Sequence, residues 1–296
     1  MGEGKTVKNV ICVFCGDHNE AQFYTTISWE EFTSSWFRCL NCNSLMILPS
    51  PDEVCLNRLY GENYRERVLQ PHPGVDNRIR YSDSYRSVVF NEYQQSLHDL
   101  DAFNPAPNAL LDYGCADGVF LEFCHQYISD DLHGGEKKNI RIYGVDIATE
   151  MLEVAKSRGF VVDHVNNVKQ FNEKFDLITM WDVLEHIIDP YSVLKKLMDV
   201  LSPDGKIIIQ TPQFGIIAET FGSNWSHLLP CQHVSLPSFK GMEALAKRLE
   251  LAVKKHLSFG ANAPASHVQQ PFKSYFDDLA KQLNIGSTQL VCLARS

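Results

Sequence analysis

From about residue 109 onward, short apolar runs alternate with longer stretches whose apolar residues recur at helical spacing, and this alternation constrains the fold most tightly. Ala109-Leu110-Leu111-Asp112-Tyr113 reads as a buried strand that stops at a glycine turn, and Phe120 to Tyr127 follows with helical periodicity. Ile140 to Asp146 is a second strand and Ala148 to Ser157 a helix, and Phe160-Val161-Val162 opens a third strand. Phe175 to Met180 is a fourth, a helix runs from about Tyr191 to Leu201, and Lys206 to Gln210 is a fifth strand stopped by Pro212. Strands alternating with helices imply βαβ crossovers and a doubly wound, mainly parallel α/β sheet. Ligands of such sheets sit at the carboxyl ends of the strands, so the residues after each strand are where function is sought.

Composition divides the chain into three stretches. Residues 1–50 carry four cysteines in two pairs; residues 51–107 are rich in Tyr, Arg, Asn and Asp and end in the loop-like Asn104-Pro105-Ala106-Pro107-Asn108; residues 108–296 carry the α/β pattern. The middle stretch is expected to be a helical linker that forms part of a lid, with Tyr60, Tyr64 and Tyr81 able to reach into a site.

The first turn is Asp112-Tyr113-Gly114-Cys115-Ala116-Asp117-Gly118. Glycine allows a sharp turn and close approach of backbone to ligand, and the following helix points free N–H groups at the crevice. The turn lacks G-x-G-x-x-G, since Ala116 and Val119 stand at the later glycine places, and no Gly-Lys-Ser/Thr follows. It therefore does not look built for pyrophosphate. Asp146 ends the second strand, where an acid can accept both hydroxyls of a ribose. Together these describe a site for a nucleoside without phosphates; the other reading of Asp112 and Asp146 is as helix caps or solvated strand ends.

Over roughly 108 to 260 the chain resembles the class I S-adenosylmethionine-dependent methyltransferases. The resemblance rests on Leu110 to Gly118, Tyr143-Gly144-Val145-Asp146, Phe175-Asp176-Leu177-Ile178, Val183-Leu184-Glu185-His186-Ile187-Ile188-Asp189-Pro190 and Leu201-Ser202-Pro203-Asp204-Gly205-Lys206, in that order. It implies a seven-stranded Rossmann-like sheet. It also implies that Gly114 and Gly118 border the methionine part of the cofactor, that Asp112 helps hold its amino group, and that Asp146 binds the ribose. Asn167 would lie near the adenine edge with Ile147 packed on its face, and Trp181 and Asp182 would line the cofactor pocket or substrate entrance. Ala116 departs from the pattern, standing where the family's middle glycine of the turn belongs.

Cys12-Val13-Phe14-Cys15 and Cys39-Leu40-Asn41-Cys42 form C-x2-C…C-x2-C. Each pair suits a knuckle with both sulfurs on one ion, and two knuckles complete a closed, structural zinc site of Cys12, Cys15, Cys39 and Cys42 in a small ribbon. So short a segment lacks a core of its own, and the metal would supply stabilisation. Two unrelated pairs, or a redox pair, are the alternatives, but the thioredoxin-like βαβ pattern that normally carries a redox pair does not surround these cysteines. With Leu48-Pro49-Ser50-Pro51 and Leu59 to Tyr64, the module looks like the N-terminal region of methyltransferases of sugar, lipopolysaccharide and secondary-metabolite biosynthesis.

Methyl transfer from a sulfonium is an in-line displacement, with a base where the nucleophile must lose a proton. His186 follows the fourth strand; His227 and His233 follow the fifth, in a loop expected to cover the substrate. The resemblance favours His233, from the segment Pro230-Cys231-Gln232-His233, over His186 as the catalytic base; each is otherwise a hydrogen-bonded structural histidine.

A net charge of −9 disfavours a broad nucleic-acid surface. No apolar run has the length of a membrane span, and Met1 to Val10 is too polar for a secretory signal, so a cytoplasmic protein with reduced thiols is expected. Gly2 and Thr6 formally fit the myristoylation template, without a polybasic partner signal. The expected activity is methyl transfer to a small molecule such as a sugar, nucleotide-sugar or secondary metabolite. An RNA or protein methyltransferase, or a non-catalytic interaction protein, are the rival readings. Oligomeric state is left open.

Overall fold

The computed structural model describes residues 6–29, 32–51, 83–130, 140–260 and 272–296. Tyr60, Tyr64 and Tyr81, and with them most of the expected lid linker, lie outside the described residues. The N-terminal part contributes β1 (Thr6–Ile11), β2 (His18–Trp29), β3 (Phe32–Cys39) and β4 (Leu45–Ile47). Helix α1 (Asp83–Asp99) leads into β5 (Ala109–Tyr113), α2 (Val119–Asp130), β6 (Arg141–Asp146), α3 (Thr149–Ser157), β7 (Val161–His164) and β8 (Phe175–Trp181). Then come α4 (Pro190–Met198), β9 (Leu201–Pro212), α5 (Ile216–Phe221), β10 (Ser235–Leu236), α6 (Phe239–Arg248), β11 (Leu251–Phe259), α7 (Phe272–Leu283) and β12 (Thr288–Arg295).

Seven strands form the large sheet in the order β11-β12-β9-β8-β5-β6-β7. Only β12 runs against its neighbours, so the sheet is mainly parallel, as anticipated. Its central strands are covered on both faces, which is why Leu110-Leu111 and Ile207-Ile208-Ile209 are unbroken apolar runs rather than alternating ones. The chain leaves β5 toward β6 and β7, then returns to place β8 on the other flank of β5. That reversal opens a crevice at the carboxyl ends of β5, β6 and β8. Asp189 caps α4 by accepting from the Ser192 N–H at 3.0 Å, and Pro190 stands at its first turn.

The fifth strand begins earlier than its apolar core suggests. β9 extends back to Leu201, and its pairing with β8 jumps from Phe175↔Leu201 to Leu177↔Lys206. The Asp176 carboxylate spans the irregularity, accepting from the Asn108 backbone and side chain at 2.7 and 3.0 Å and from Ser202 Oγ at 2.7 Å.

The small sheet has the order β1-β2-β3-β4-β10, so its last strand comes from the segment after β9. Ser235 pairs with Met46 and Leu236 with Leu45. Phe14 and Met46 share a core with Met242, Leu245 and Leu249 of α6 and its end, while Trp36, Leu45 and Ile47 pack with Phe214, Trp225 and Leu228. Among the described residues no helix is long and apolar enough to cross a membrane.

Candidate functional site

The glycine turn closes on β6: the Gly114 and Cys115 N–H groups donate to the Val145 carbonyl at 2.7 and 3.0 Å. Gly114 and Gly118 have φ of 87° and 85°, where a side chain is strained. Ala116 has φ 46°, so the position demands the left-handed backbone that glycine takes freely, and alanine holds it at a cost of about 1–2 kcal/mol. Its N–H donates to Asp146 Oδ2 at 2.9 Å, and the Ala148 N–H donates to Oδ1 at 2.8 Å. Asp146, whose carboxylate also takes the Ile147 N–H, thus ties the turn to the end of β6.

Asp112 sits beside this pair, 2% exposed, accepting from Thr179 Oγ1 at 2.8 Å. Burial, reinforced by the charge of Asp146, pushes its carboxyl up to about 7. No cation pairs with it among the described residues, so a ligand ammonium would complete it. Ile147, 54% exposed, projects from the tip of β6. Asn167 lies in the short helix Val165–Phe171 after β7 and donates to Asp163 Oδ1 at 3.0 Å. Asp163 was not singled out from sequence; its signal is that it, like Asp112 and Asp146, is an acid near the carboxyl end of a parallel strand. Trp181 packs on Phe120 and Tyr93 at ring separations of 5.1 and 4.9 Å, and its buried Nε1 has no hydrogen-bond partner among the described residues. Asp182 follows with φ 53°, its carboxylate accepting from Gln210 Nε2 at 3.0 Å.

Beyond β8 the structure brings three histidines together. His186 and His233 rings lie 4.8 Å apart edge to face, and His227 stacks on His233 at 6.0 Å. His233 Nδ1 meets the His227 carbonyl at 2.7 Å; His186 Nδ1 meets that of Gln232 at 2.7 Å, and its ring also meets the Asp182 carbonyl. Burial lowers all three, His227 to about 4, and His233 well below its ordinary value with its two histidine neighbours adding to burial, so they are neutral near pH 7. A neutral imidazole can accept a proton or ligate a metal. Glu185, also missed in the sequence, is 1% exposed beside them and accepts from Thr211 Oγ1 at 2.9 Å. Burial and the Asp182 charge push its carboxyl well up. The Val234 N–H donates to the Glu185 carbonyl at 2.8 Å, clipping the two segments together.

The sulfurs of Cys12, Cys15, Cys39 and Cys42 lie within 4.8 Å of one another and form no disulfide. Cys12 and Cys42 Sγ are 3.5 Å apart, Cys15 and Cys39 Sγ 3.8 Å. A tetrahedral zinc with bonds of about 2.3 Å needs sulfurs about 3.8 Å apart, so the cage fits that ion. The Gly16 and Asn43 N–H groups turn back onto the Cys12 and Cys39 carbonyls at 2.8 and 2.9 Å, forming the two knuckles. Arg248 of α6 donates to the Val13 and Phe14 carbonyls at 3.0 and 2.8 Å, and Ser238 Oγ to the Cys42 carbonyl.

Residues 85–256 match the family described as a methyltransferase domain. The chain is similar to ubiquinone biosynthesis O-methyltransferase of Actinobacillus pleuropneumoniae serotype 7 (strain AP76), 30% identical over 115 residues, covering 34% of this chain and 44% of the relative. The same-named protein of Xanthomonas axonopodis pv. citri (strain 306) is 27% identical over 159 residues, 50% of this chain and 62% of the relative. The chain therefore spans less than two thirds of these relatives. In fold it is similar to the plantazolicin methyltransferase BpumL solved with SAH, with a TM-score of 0.52 at 14% identity, covering 82% and 94% of the two chains. It is likewise similar to a SAM-dependent methyltransferase from Archaeoglobus fulgidus, with a TM-score of 0.51 at 16% identity, covering 78% and 99%.

Proposed function

This chain belongs to the methyltransferase domain family, and from that premise we propose that it transfers a methyl group from S-adenosylmethionine to a small-molecule acceptor. The observation that carries the reading is the meeting of Asp112, the Gly114–Gly118 turn and Asp146 at one crevice, with no cation on the buried Asp112 carboxyl among the described residues. S-adenosylmethionine, when bound, supplies a methyl on a sulfonium sulfur. Asp112 holds the cofactor's ammonium and Asp146 accepts from its ribose hydroxyls. Ile147 and Asn167 meet the adenine, and the turn glycines admit the methionine part. Trp181 and Asp182 line the cofactor pocket or the substrate entrance, and Trp181 Nε1, without a hydrogen-bond partner among the described residues, is a donor available to a ligand.

His233 is the favoured group for the acceptor's proton, with His186 the alternative. With Nδ1 fixed as donor on the His227 carbonyl, Nε2 of His233 keeps its lone pair. The four cysteines hold a structural zinc. The acceptor class is a sugar, nucleotide-sugar or secondary metabolite, the net charge of −9 weighing against RNA.

Calorimetric titration with S-adenosylmethionine tests the cofactor site: micromolar binding is expected for the natural chain, lost in Asp146→Ala. No binding by the natural chain would sink the reading. Once an acceptor turns over, His233→Ala should lower kcat by about 10²–10⁴-fold with cofactor binding retained.

A further inference from the structure

The helix α6 meets the cysteine cage at both of its ends. At its start, Ser238 caps the helix by accepting from the Gly241 N–H at 3.0 Å and donates from Oγ to the Cys42 carbonyl. Lys240 Nζ donates to the Asn41 carbonyl at 2.5 Å. At its end, Arg248 donates to the Val13 and Phe14 carbonyls at 3.0 and 2.8 Å, with its guanidinium 4.2 Å from the centre of the Tyr191 ring on α4. Val13 and Phe14 stand between the first two cysteines, and Asn41 between the last two. We propose that α6 is a clamp that retains the metal of the cage, with Ser44 and Arg248 as the residues that position its ligands. The proposal rests on the reading that the four cysteines hold zinc.

Ser44 is the residue nearest the metal's chemistry. It is fully buried, and its Oγ lies 3.4 Å from Cys42 Sγ. Its lone pair is taken by the Ser238 N–H at 3.0 Å, and Ser238 has spent its own proton on the Cys42 carbonyl. Ser238 Oγ, at 3.5 Å, is too distant for a good O–H···O bond. The Ser44 proton is therefore left for the Cys42 sulfur once that sulfur is a thiolate, which is its metal-binding form. The Ser44 N–H faces the same sulfur. Cys42 is 1% exposed, so these donors replace the water that a thiolate would otherwise keep.

Two glycines let the helix press this closely. A Cβ at Gly241 would stand 2.1 Å from Ser44 Oγ and 3.5 Å from Phe14 Cβ, and one at Gly16 would stand 2.7 Å from Arg248 Nε. Metal leaves a closed four-thiolate site only as sulfurs swing away, and α6 holds carbonyls of both knuckles that carry them. Ser238 stands two residues after β10, so the same grip holds the far end of the segment that bears His233.

Cobalt(II) is the probe, because its thiolate charge-transfer band reports the sulfurs directly. The full chain, stripped of metal and reloaded, should show the cobalt spectrum of a tetrahedral four-thiolate site. Competition with a chromophoric chelator should show zinc held at least about tenfold more weakly in Ser44→Ala and in Arg248→Met, and unchanged in Lys169→Met. The charge-transfer band should move to lower energy in Ser44→Ala, since a sulfur without its hydroxyl donor gives up an electron more readily. It should stay in place in Arg248→Met, which touches no sulfur. Should Arg248→Met not fold, Ser44→Ala decides, since it deletes a single oxygen. An unmoved band in Ser44→Ala, or natural zinc affinity in either folded variant, would overturn the clamp. A natural chain without the thiolate band would instead sink the zinc reading itself.

Discussion

Asp112 lies enclosed at the end of β5, its carboxyl pushed up to about 7 by burial and by the charge of Asp146. A folded pKa above the ordinary carboxylate value means that its contribution to stability is present below about pH 4 and is lost as pH rises through about 7. A ligand ammonium binds the ionised form. Cofactor affinity should therefore fall by up to about tenfold per unit as pH drops below 7. Asp112→Asn should weaken binding and flatten that profile, and calorimetry across the range checks both. Ala116→Gly should stabilise the ligand-free chain by up to about 1 kcal/mol, read as a raised melting temperature, by releasing the strained φ of 46°. Asp112 and Asp146 were legible in the sequence because the end of an apolar strand is a place that pattern alone locates. The positive φ of Ala116 was not, since a side-chain identity does not carry the sign of a backbone angle. Glu185 was passed over because an acid beside a histidine reads as an ordinary solvated pair until burial is known.

The strand β10 is two residues long, yet it joins the small sheet to the loop that carries His233. The Ile47 N–H donates to the Val234 carbonyl at 3.0 Å, the Cys231 N–H to Ser34 Oγ at 3.1 Å, and Arg38 of β3 pairs with Glu219 of α5 at 2.6 Å. Cys39 ends the strand that carries Ser34 and Arg38, and Cys42 stands between that strand and β4, which carries Ile47. Stripping metal from the cysteine cage should therefore loosen the histidine loop as well as the knuckles. Hydrogen exchange should show protection lost together in residues 32–48 and 229–238 on chelation, with β5 to β8 unchanged; loss confined to the knuckles would show that the two are uncoupled. The pattern β5 to β9 was readable because each strand is a buried apolar run between helical segments. β10 was not, since two residues carry no period, and its partner lies almost two hundred residues away in sequence. The back extension of β9 through Ser202 and Pro203 was hidden because polar residues and a proline there mimic a turn.

At the scale of the whole molecule, residues 1–50 look separable by composition, and their packing argues that they are not. Their largest buried side chains face the rest of the chain: Phe14 and Met46 meet Met242, Leu245 and Leu249, and Trp36 and Leu45 meet Phe214, Trp225 and Leu228. Each such side chain left exposed forfeits about 1.5–3 kcal/mol. Several together reach the 5–15 kcal/mol by which a whole domain is held folded. A zinc ion in the cage cannot replace the apolar surface of α6 or of the loop around Trp225. A chain beginning at residue 51 should accordingly aggregate, or melt well below the full chain in scanning calorimetry, and should not bind S-adenosylmethionine at full strength. A monodisperse truncated chain with the natural melting temperature would instead show that residues 1–50 are an appended module, and that the acceptor loop is held by the α/β domain alone.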